Sequence, residues 1–198
     1  MNREEEFDVI RRVLDGDVNA FEELVNAYET KVYNLALQMV GNKQDAQDVT
    51  QEAFIKAYNS LSSFRGDSKF SVWLYRIVSN MCVDYLRKKK KRGTFSLSME
   101  DDDGEDIQLD LPDLSQSPEE ILQQKLTQDA VRRGLASLPP DSRQILLLRE
   151  IQGLSYEEIG KALGLEIGTV KSRIFRARKK LVAFLLQDGN IPDDYTSR

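Results

Sequence analysis

Histidine is missing from the 198 residues altogether, and Cys82 is the only cysteine. Without histidine the commonest general base and the usual nitrogen ligand of zinc are absent. One thiol cannot close an internal disulfide, which fits a reducing compartment. Cys82 falls inside an apolar helical run and is expected to be buried. No window approaches eighteen apolar residues, and the opening MNREEEFDVI is acidic rather than signal-like. The expectation is therefore a cytoplasmic protein with no membrane span and no secretion signal. The triplet Asp101-Asp102-Asp103 lacks any fixed scaffold around it and reads as a solvated acidic run, so no metal and no cofactor is expected.

A net charge of −5 would argue against a polyanionic partner only if it were evenly spread. Residues 1–86 hold 9 basic against 14 acidic residues, 87–93 carry +6, 94–117 carry −8, and 153–182 carry +4. A polyanion meets the local patch, not the average. The stretch 94–117 has few apolar residues, too little burial to offset the entropy of ordering it, and is expected to be a flexible acidic linker. Its 24 residues reach up to ~80 Å when extended, more than two turns of duplex at ~34–36 Å each. The expected fold class is all-α, with two small helical domains joined by that linker. The N-terminal domain covers 1–93. A C-terminal domain containing a helix-turn-helix covers 118–186, and a frayed tail covers 187–198.

The C-terminal domain opens on Ser117-Pro118-Glu119-Glu120, a capping box with proline at the first helical position. Ile121, Leu122, Leu126, Ala130 and Leu135 supply its apolar stripe. Leu138-Pro139-Pro140-Asp141 turns the chain into a helix from Asp141 to Ile151, stopped at Gly153. Leu154 to Leu181, LSYEEIGKALGLEIGTVKSRIFRARKKL, then reads as a helix-turn-helix. Ser155 and Glu158 form a capping box. Ile159 and Leu163 face inward, and Gly164 takes the positive φ that ends the helix. A second helix begins near Ile167 or Gly168 and buries Val170, Ile174 and Leu181. From Lys171 to Lys180 there are six basic residues and no acidic one. Lys171, Ser172, Phe175 and Arg176 share one exposed face. Cations there can donate to guanine, serine to several bases, and a ring can meet a thymine methyl. Gly160 costs ~1 kcal/mol relative to alanine inside a helix, yet a missing Cβ lets two helices pack closely.

In the N-terminal half, a helix is expected from about Glu4 to Leu14, broken by Asp15-Gly16-Asp17. Asp17 or Asn19 is expected to cap a long second helix whose core face holds Phe21, Leu24, Val25, Tyr28, Val32, Ala36 and Met39. Gly41-Asn42 ends it. A third helix, about Gln44 to Ser60, turns Ala46, Val49, Ala53 and Ala57 inward. Its other face shows Asp45, Asp48, Gln51, Glu52 and Lys56, either a solvated surface or a docking surface for a protein. The loop Leu61 to Ser71, LSSFRGDSKFS, interleaves Phe64 and Phe70 with Arg65 and Lys69. Two readings stand: the rings stack unpaired bases, at ~1–3 kcal/mol each, or they fold back into the core. A fourth helix, about Lys69 to Lys91, buries Trp73, Leu74, Ile77, Val78, Met81 and Tyr85. Arg76, Asn80, Asp84 and Arg87 step along another side. Six successive cations, Arg87 to Arg92, exceed what the helix dipole calls for, and phosphate contact accounts for them better.

Gln51 to Asn80 (QEAFIKAYNSLSSFRGDSKFSVWLYRIVSN) and Leu154 to Leu181 resemble the two signature blocks of bacterial RNA polymerase sigma factors. The resemblance is to the extracytoplasmic-function group, especially its envelope-stress members. It spans nearly the whole chain except the linker and the last dozen residues. It implies that the DAQDVTQEAF helix docks on the clamp helices of the polymerase largest subunits, with Asp45, Asp48, Gln51, Glu52, Phe54 and Ile55 as contacts. It implies that the loop Ser62 to Ser71, with Phe64, Lys69 and Phe70, captures a flipped base of the −10 element. Arg76, Asn80, Asp84, Arg87 and Lys88 would then lie along the single-stranded −10 element. Thr169, Lys171, Ser172, Arg173, Phe175, Arg176 and Lys179 match the helix that reads the duplex −35 element in the major groove. The acidic linker is similar to the segment that threads the channel for RNA. The implied partners are core RNA polymerase, promoter DNA and an anti-sigma factor, often a membrane protein, with no small-molecule substrate. Gly160 stands where the family more often has alanine.

One helix-turn-helix monomer binds specific DNA weakly. Two or three base contacts at ~1–3 kcal/mol each do not overcome a genome of competing sites. No heptad seam offers a dimer, but a tethered second basic module makes the second contact intramolecular. Extruding a base costs a few kcal/mol, which a stacking pocket can offset, so strand opening needs no catalysis by this chain. A polymerase-independent helix-turn-helix regulator is the rival reading, and it predicts duplex binding without polymerase. A nucleic-acid enzyme would need a histidine, a metal constellation or a nucleophile–base pair, and the sequence offers none.

Overall fold

Asn2 starts the first helix. Its side chain accepts hydrogen bonds from the Glu4 and Glu5 amides, and the Glu5 carboxylate in turn accepts from the Asn2 amide, a reciprocal cap of otherwise unpaired donors. The computed structural model describes residues 1–91 and 118–187. The linker expected over 94–117, Arg92, the Ser117 cap and the tail beyond Gln187 lie outside the described residues. The side chains of 118–124, including Ile121 and Leu122, do so too. Eight helices and no strand occur among the described residues: α1 (Arg3–Leu14), α2 (Phe21–Val40), α3 (Lys43–Asn59), α4 (Phe70–Lys91), α5 (Pro118–Ser137), α6 (Pro140–Glu150), α7 (Tyr156–Leu163) and α8 (Ile167–Gln187). Gln187, assigned to the tail by sequence, is the last residue of α8.

Local chemistry sets the ends. Asp17 caps not α2 but a short 3-10 turn, Val18–Ala20, and α2 starts without a side-chain cap. Asn19 lies inside that turn. Gly41 closes α2 with φ +80°, and Asn42 at once caps α3 through the Asp45 amide. Ser155 and Glu158 form the reciprocal cap of α7, and Gly164 ends that helix with φ +64°. The Ser155 amide bond holds the Glu158 carboxyl below its ordinary range.

In the first half, α2, α3 and α4 pack on one another and α1 lies against α2. In the second, α8 is the spine, packed by α5, α6 and α7. Leu126, expected in the α5 stripe, is 45% exposed, whereas Ala130 and Leu135 are buried. The C-terminal part of α5 is the part that seats on α8.

The two halves also pack on each other. α4 lies against α6 and α7, and α2 against α5 and α6, so one apolar cluster runs from Val9 to Ala177. The second contact explains why α4 buries more than one stripe: Tyr75, Ser79, Cys82 and Val83 are enclosed along with Leu74, Ile77 and Val78. Trp73, Met81 and Tyr85 remain half-buried. The contact has a polar centre. Arg143 of α6 is 7% exposed. Its guanidinium donates to the Met39 carbonyl at the end of α2, to the Ala136 carbonyl at 2.6 Å and to the Leu138 carbonyl at 3.4 Å. Burial lowers the Arg143 pKa. Beside it, the Gln144 amide donates to Ser79 at 3.0 Å and to Asn80 at 2.9 Å.

Three further links cross at the surface: Arg87–Asp141 at 3.0 Å, Lys69–Glu158 at 3.6 Å and Lys161 to the Asp67 carbonyl at 3.5 Å. Exposed pairs of this kind are worth ~0–1 kcal/mol. Stranding a buried donor or acceptor costs ~1–3 kcal/mol. The register of the seam therefore rests on Arg143 and Gln144, and its strength on the apolar surface around them.

Candidate nucleic-acid interface

Val170, Ile174 and Ala177 anchor α8, with exposures of 0 to 2%. Their spacing turns the opposite face outward. There Lys171, Ser172, Arg173, Phe175, Arg176 and Lys179 are exposed, and Thr169 is half-exposed. Phe175, at 67%, is the most exposed of the large apolar side chains among the described residues. Arg178 is tied to Glu150 at 2.5 Å, and Lys171 lies 5.7 Å above the Tyr156 ring. Arg176 donates to the Ser172 carbonyl at 3.2 Å.

The turn before α8 is tight. A Cβ on Gly160 would lie 2.8 Å from the Leu165 carbonyl oxygen, and the Leu165 amide donates back to the Gly160 carbonyl at 2.9 Å. The close approach suspected at Gly160 is thus between helix and turn.

On α3, Asp48, Gln51, Glu52 and Ile55 are exposed, with Ile55 at 55%. Asp45 is half-buried and paired with Lys89 at 3.3 Å. Phe54 is 7% exposed and points into the core. It supports the α3 face and cannot form part of it, because the period of the helix turns it inward with Ala53 and Ala57.

The loop before α4 resolves its two readings differently for each ring. Phe70 has no exposed surface: its ring sits 5.8 Å from Tyr28, 5.9 Å from Phe64 and 5.6 Å from Trp73. It is a core residue and offers no surface to a base. Phe64 is half-buried between Phe7 and Trp73, at 6.0 and 5.4 Å. Lys69 is exposed. Along α4, Arg76, Asn80, Asp84, Arg87 and Lys88 are exposed in one direction.

Sequence reasoning did not foresee where that row leads. Asn80, Asp84 and Arg87 line a cleft of about 330 Å³ together with Asp141 and Gln144 of α6 and Arg173 of α8. The face assigned to one DNA element therefore meets the helix assigned to the other. Arg143 and Gln144 were missed because ILLL follows them directly, and a run without period hides which face is inward. Glu6 was also missed. It lies with Val9, Ile10 and Val13 at i, i+3, i+4 and i+7, a spacing that already put a carboxylate on a core face.

Among the described residues no helix is long and apolar enough to cross a membrane. Residues 24–92 match the model for sigma-70 region 2, and residues 128–181 match that for sigma-70 region 4. The chain is 41% identical to the RNA polymerase sigma-H factor of Pseudomonas aeruginosa, over 91% of this chain and 94% of that one. It is 42% identical to the ECF RNA polymerase sigma-E factor of Escherichia coli, covering 87% and 90%. Among solved structures it is similar to CnrH in complex with the cytosolic domain of CnrY, with a TM-score of 0.67, 26% identity and coverage of 93% and 99%.

Proposed function

The chain belongs to the extracytoplasmic-function sigma factors of RNA polymerase, and we propose how its surfaces divide the work of promoter-directed initiation. As a sigma factor it binds core RNA polymerase and directs it to promoters. The α3 face of Asp48, Gln51, Glu52 and Ile55 docks on the core enzyme. Lys171, Ser172, Phe175 and Arg176 of α8 read the −35 duplex. The loop from Ser62 to Lys69, with Phe64 at its half-buried edge, holds a flipped base of the −10 element. Asn80, Asp84, Arg87 and Lys88 track the strand beside it.

One observation carries the −35 assignment: the cations and the exposed Phe175 of α8 project from a helix that three buried residues hold fixed.

A consequence follows for the seam. Asn80, Arg87 and Lys69 are engaged by Gln144, Asp141 and Glu158. The −10 face becomes available only when the halves part, and the 26 residues from 92 to 117 give them the length to do so. Docking on core polymerase favours the parted form. CnrH was solved with the cytosolic domain of CnrY. We infer an anti-sigma protein of that kind as the partner that holds this chain in reserve.

Run-off transcription tests the reading. Core polymerase plus this chain initiates at discrete start sites on templates where core alone does not. Duplex retention by the chain without core, and no initiation with it, would instead favour the polymerase-independent regulator.

A further inference from the structure

α1 grips the loop before α4 through residues of one face. Arg3 donates to the Gly66 carbonyl at 3.0 Å. The Phe7 ring stands 6.0 Å from Phe64. It also fills the space above Gly66, whose φ is +76° and where a Cβ would lie 2.7 Å from the ring. Glu6 is 4% exposed. One of its carboxylate oxygens accepts from the Tyr28 hydroxyl, and the other accepts from the Phe70 amide at 3.2 Å. Phe70 is the first residue of α4, so Glu6 satisfies a first-turn donor from 64 residues away and places a negative charge at the positive end of the helix dipole. Burial, together with the bond to Glu6, drives the Tyr28 pKa well above its ordinary range.

These contacts have one geometric effect. They fix the loop at its middle, at Gly66, and at its end, at Phe70. The ten residues from 60 to 69, four of them serine and one glycine, would otherwise sample many shapes, at an ordering cost of ~1–2 kcal/mol per residue. A site that accepts an extruded base must exist before the base arrives, or that cost is subtracted from the capture.

We propose that Arg3, Glu6 and Phe7 are positioning residues for base capture: α1 is the template on which the −10 loop is preformed. This rests on the reading that the loop holds a flipped base. Arg3 and Phe7 determine capture without touching DNA.

The test uses full-length chain bound to core polymerase and a forked promoter with 2-aminopurine at each −10 non-template position in turn. Wild-type holoenzyme raises fluorescence at one position, where the base leaves the stack. Absence of any such position would remove the underlying reading, whatever the variants do. Given that signal, Arg3→Ala weakens capture at that position roughly five- to tenfold, the range of one lost hydrogen bond, and Phe7→Ala, which removes the ring packed on Phe64 and Gly66, weakens it as well. Arg3→Lys, which retains a donor, restores much of it. Core affinity and −35 duplex affinity stay at wild-type values. Full signal in both alanine variants would overturn the proposal. So would a loss in Arg3→Ala accompanied by weaker core binding or a less cooperative thermal transition, because that marks a general stabilising role. Arg3 is exposed, so its variant keeps the fold even if Phe7→Ala does not.

Discussion

Gln144 of α6 donates its side-chain amide to the side-chain carbonyl of Asn80 on α4 at 2.9 Å. A residue of the region 4 half thus occupies a side-chain oxygen of region 2 on the face proposed above to track a DNA strand. Arg143 next to it is the buried pin of the same contact.

Replacing both, Arg143→Leu with Gln144→Ala, is expected to open the seam. Each ~1.4 kcal/mol removed from the closed form raises the apparent affinity for a −10 oligonucleotide about tenfold until the open form dominates. Small-angle scattering should report a larger radius of gyration, and fluorescence anisotropy a tighter complex. An unchanged radius with unchanged affinity would mean that this pair does not control access to α4.

Arg176→Ala should cost ~1–3 kcal/mol at one −35 base pair and relax discrimination there only. Lys179→Ala should instead weaken all promoters alike and flatten the salt dependence. Transcription across a panel of single −35 substitutions separates the two patterns; identical patterns would contradict the division between base and phosphate contacts.

Asp48→Lys with Gln51→Lys is expected to abolish co-purification with core polymerase, since it removes a carboxylate from the proposed docking face and buries two unpaired ammonium groups there, at a cost of several kcal/mol. Both positions are exposed, so thermal unfolding should move by no more than ~0.5 kcal/mol per site. Retained binding would take the docking role away from α3.

Alkaline pH should expose the buried groups of α4. Burial pushes the Cys82 thiol from its ordinary 9.0 up to about 12, and the Tyr75 hydroxyl likewise up to about 12. Both are neutral acids, so above the ordinary values the unfolded chain releases protons that the folded chain retains. The stabilisation is whole below pH 9.0, and it drains away as pH climbs toward about 12. Urea unfolding at stepped pH should show that decline, and Cys82→Ala should make it shallower. A flat profile would contradict the burial of this face.

Much of this was legible in the sequence because the signals were local. Ser155 with Glu158, Gly41 and Gly164 act within a few residues of themselves, so the helix-turn-helix and the ends of α2 and α7 could be read directly. The outward face of α8 followed from its period. Phe70 could not be placed, because an aromatic residue beside cations suits a ligand and a core equally until the packing partners are known. Phe54 was assigned to the docking face by the resemblance, although its spacing to Ala57 already set it on the inward side. Arg143 is the clearest limit. Its one acceptor on α2 is the carbonyl of Met39, 104 positions away, and no local pattern announces a carbonyl so far along the chain. Glu6 was readable and overlooked: it is the third of three successive glutamates, and the one of them that shares the buried face of Val9 and Ile10.

Gly160 carries a consequence for anyone transplanting specificity. With 2.8 Å between a notional Cβ and the Leu165 carbonyl oxygen, even one methyl group would push the turn away and tilt the helix that follows it. A recognition helix grafted from a sigma factor with alanine there would enter the groove at that donor's pitch only if position 160 travelled with it. The portable unit for redesign is therefore the whole stretch from Ser155 onward.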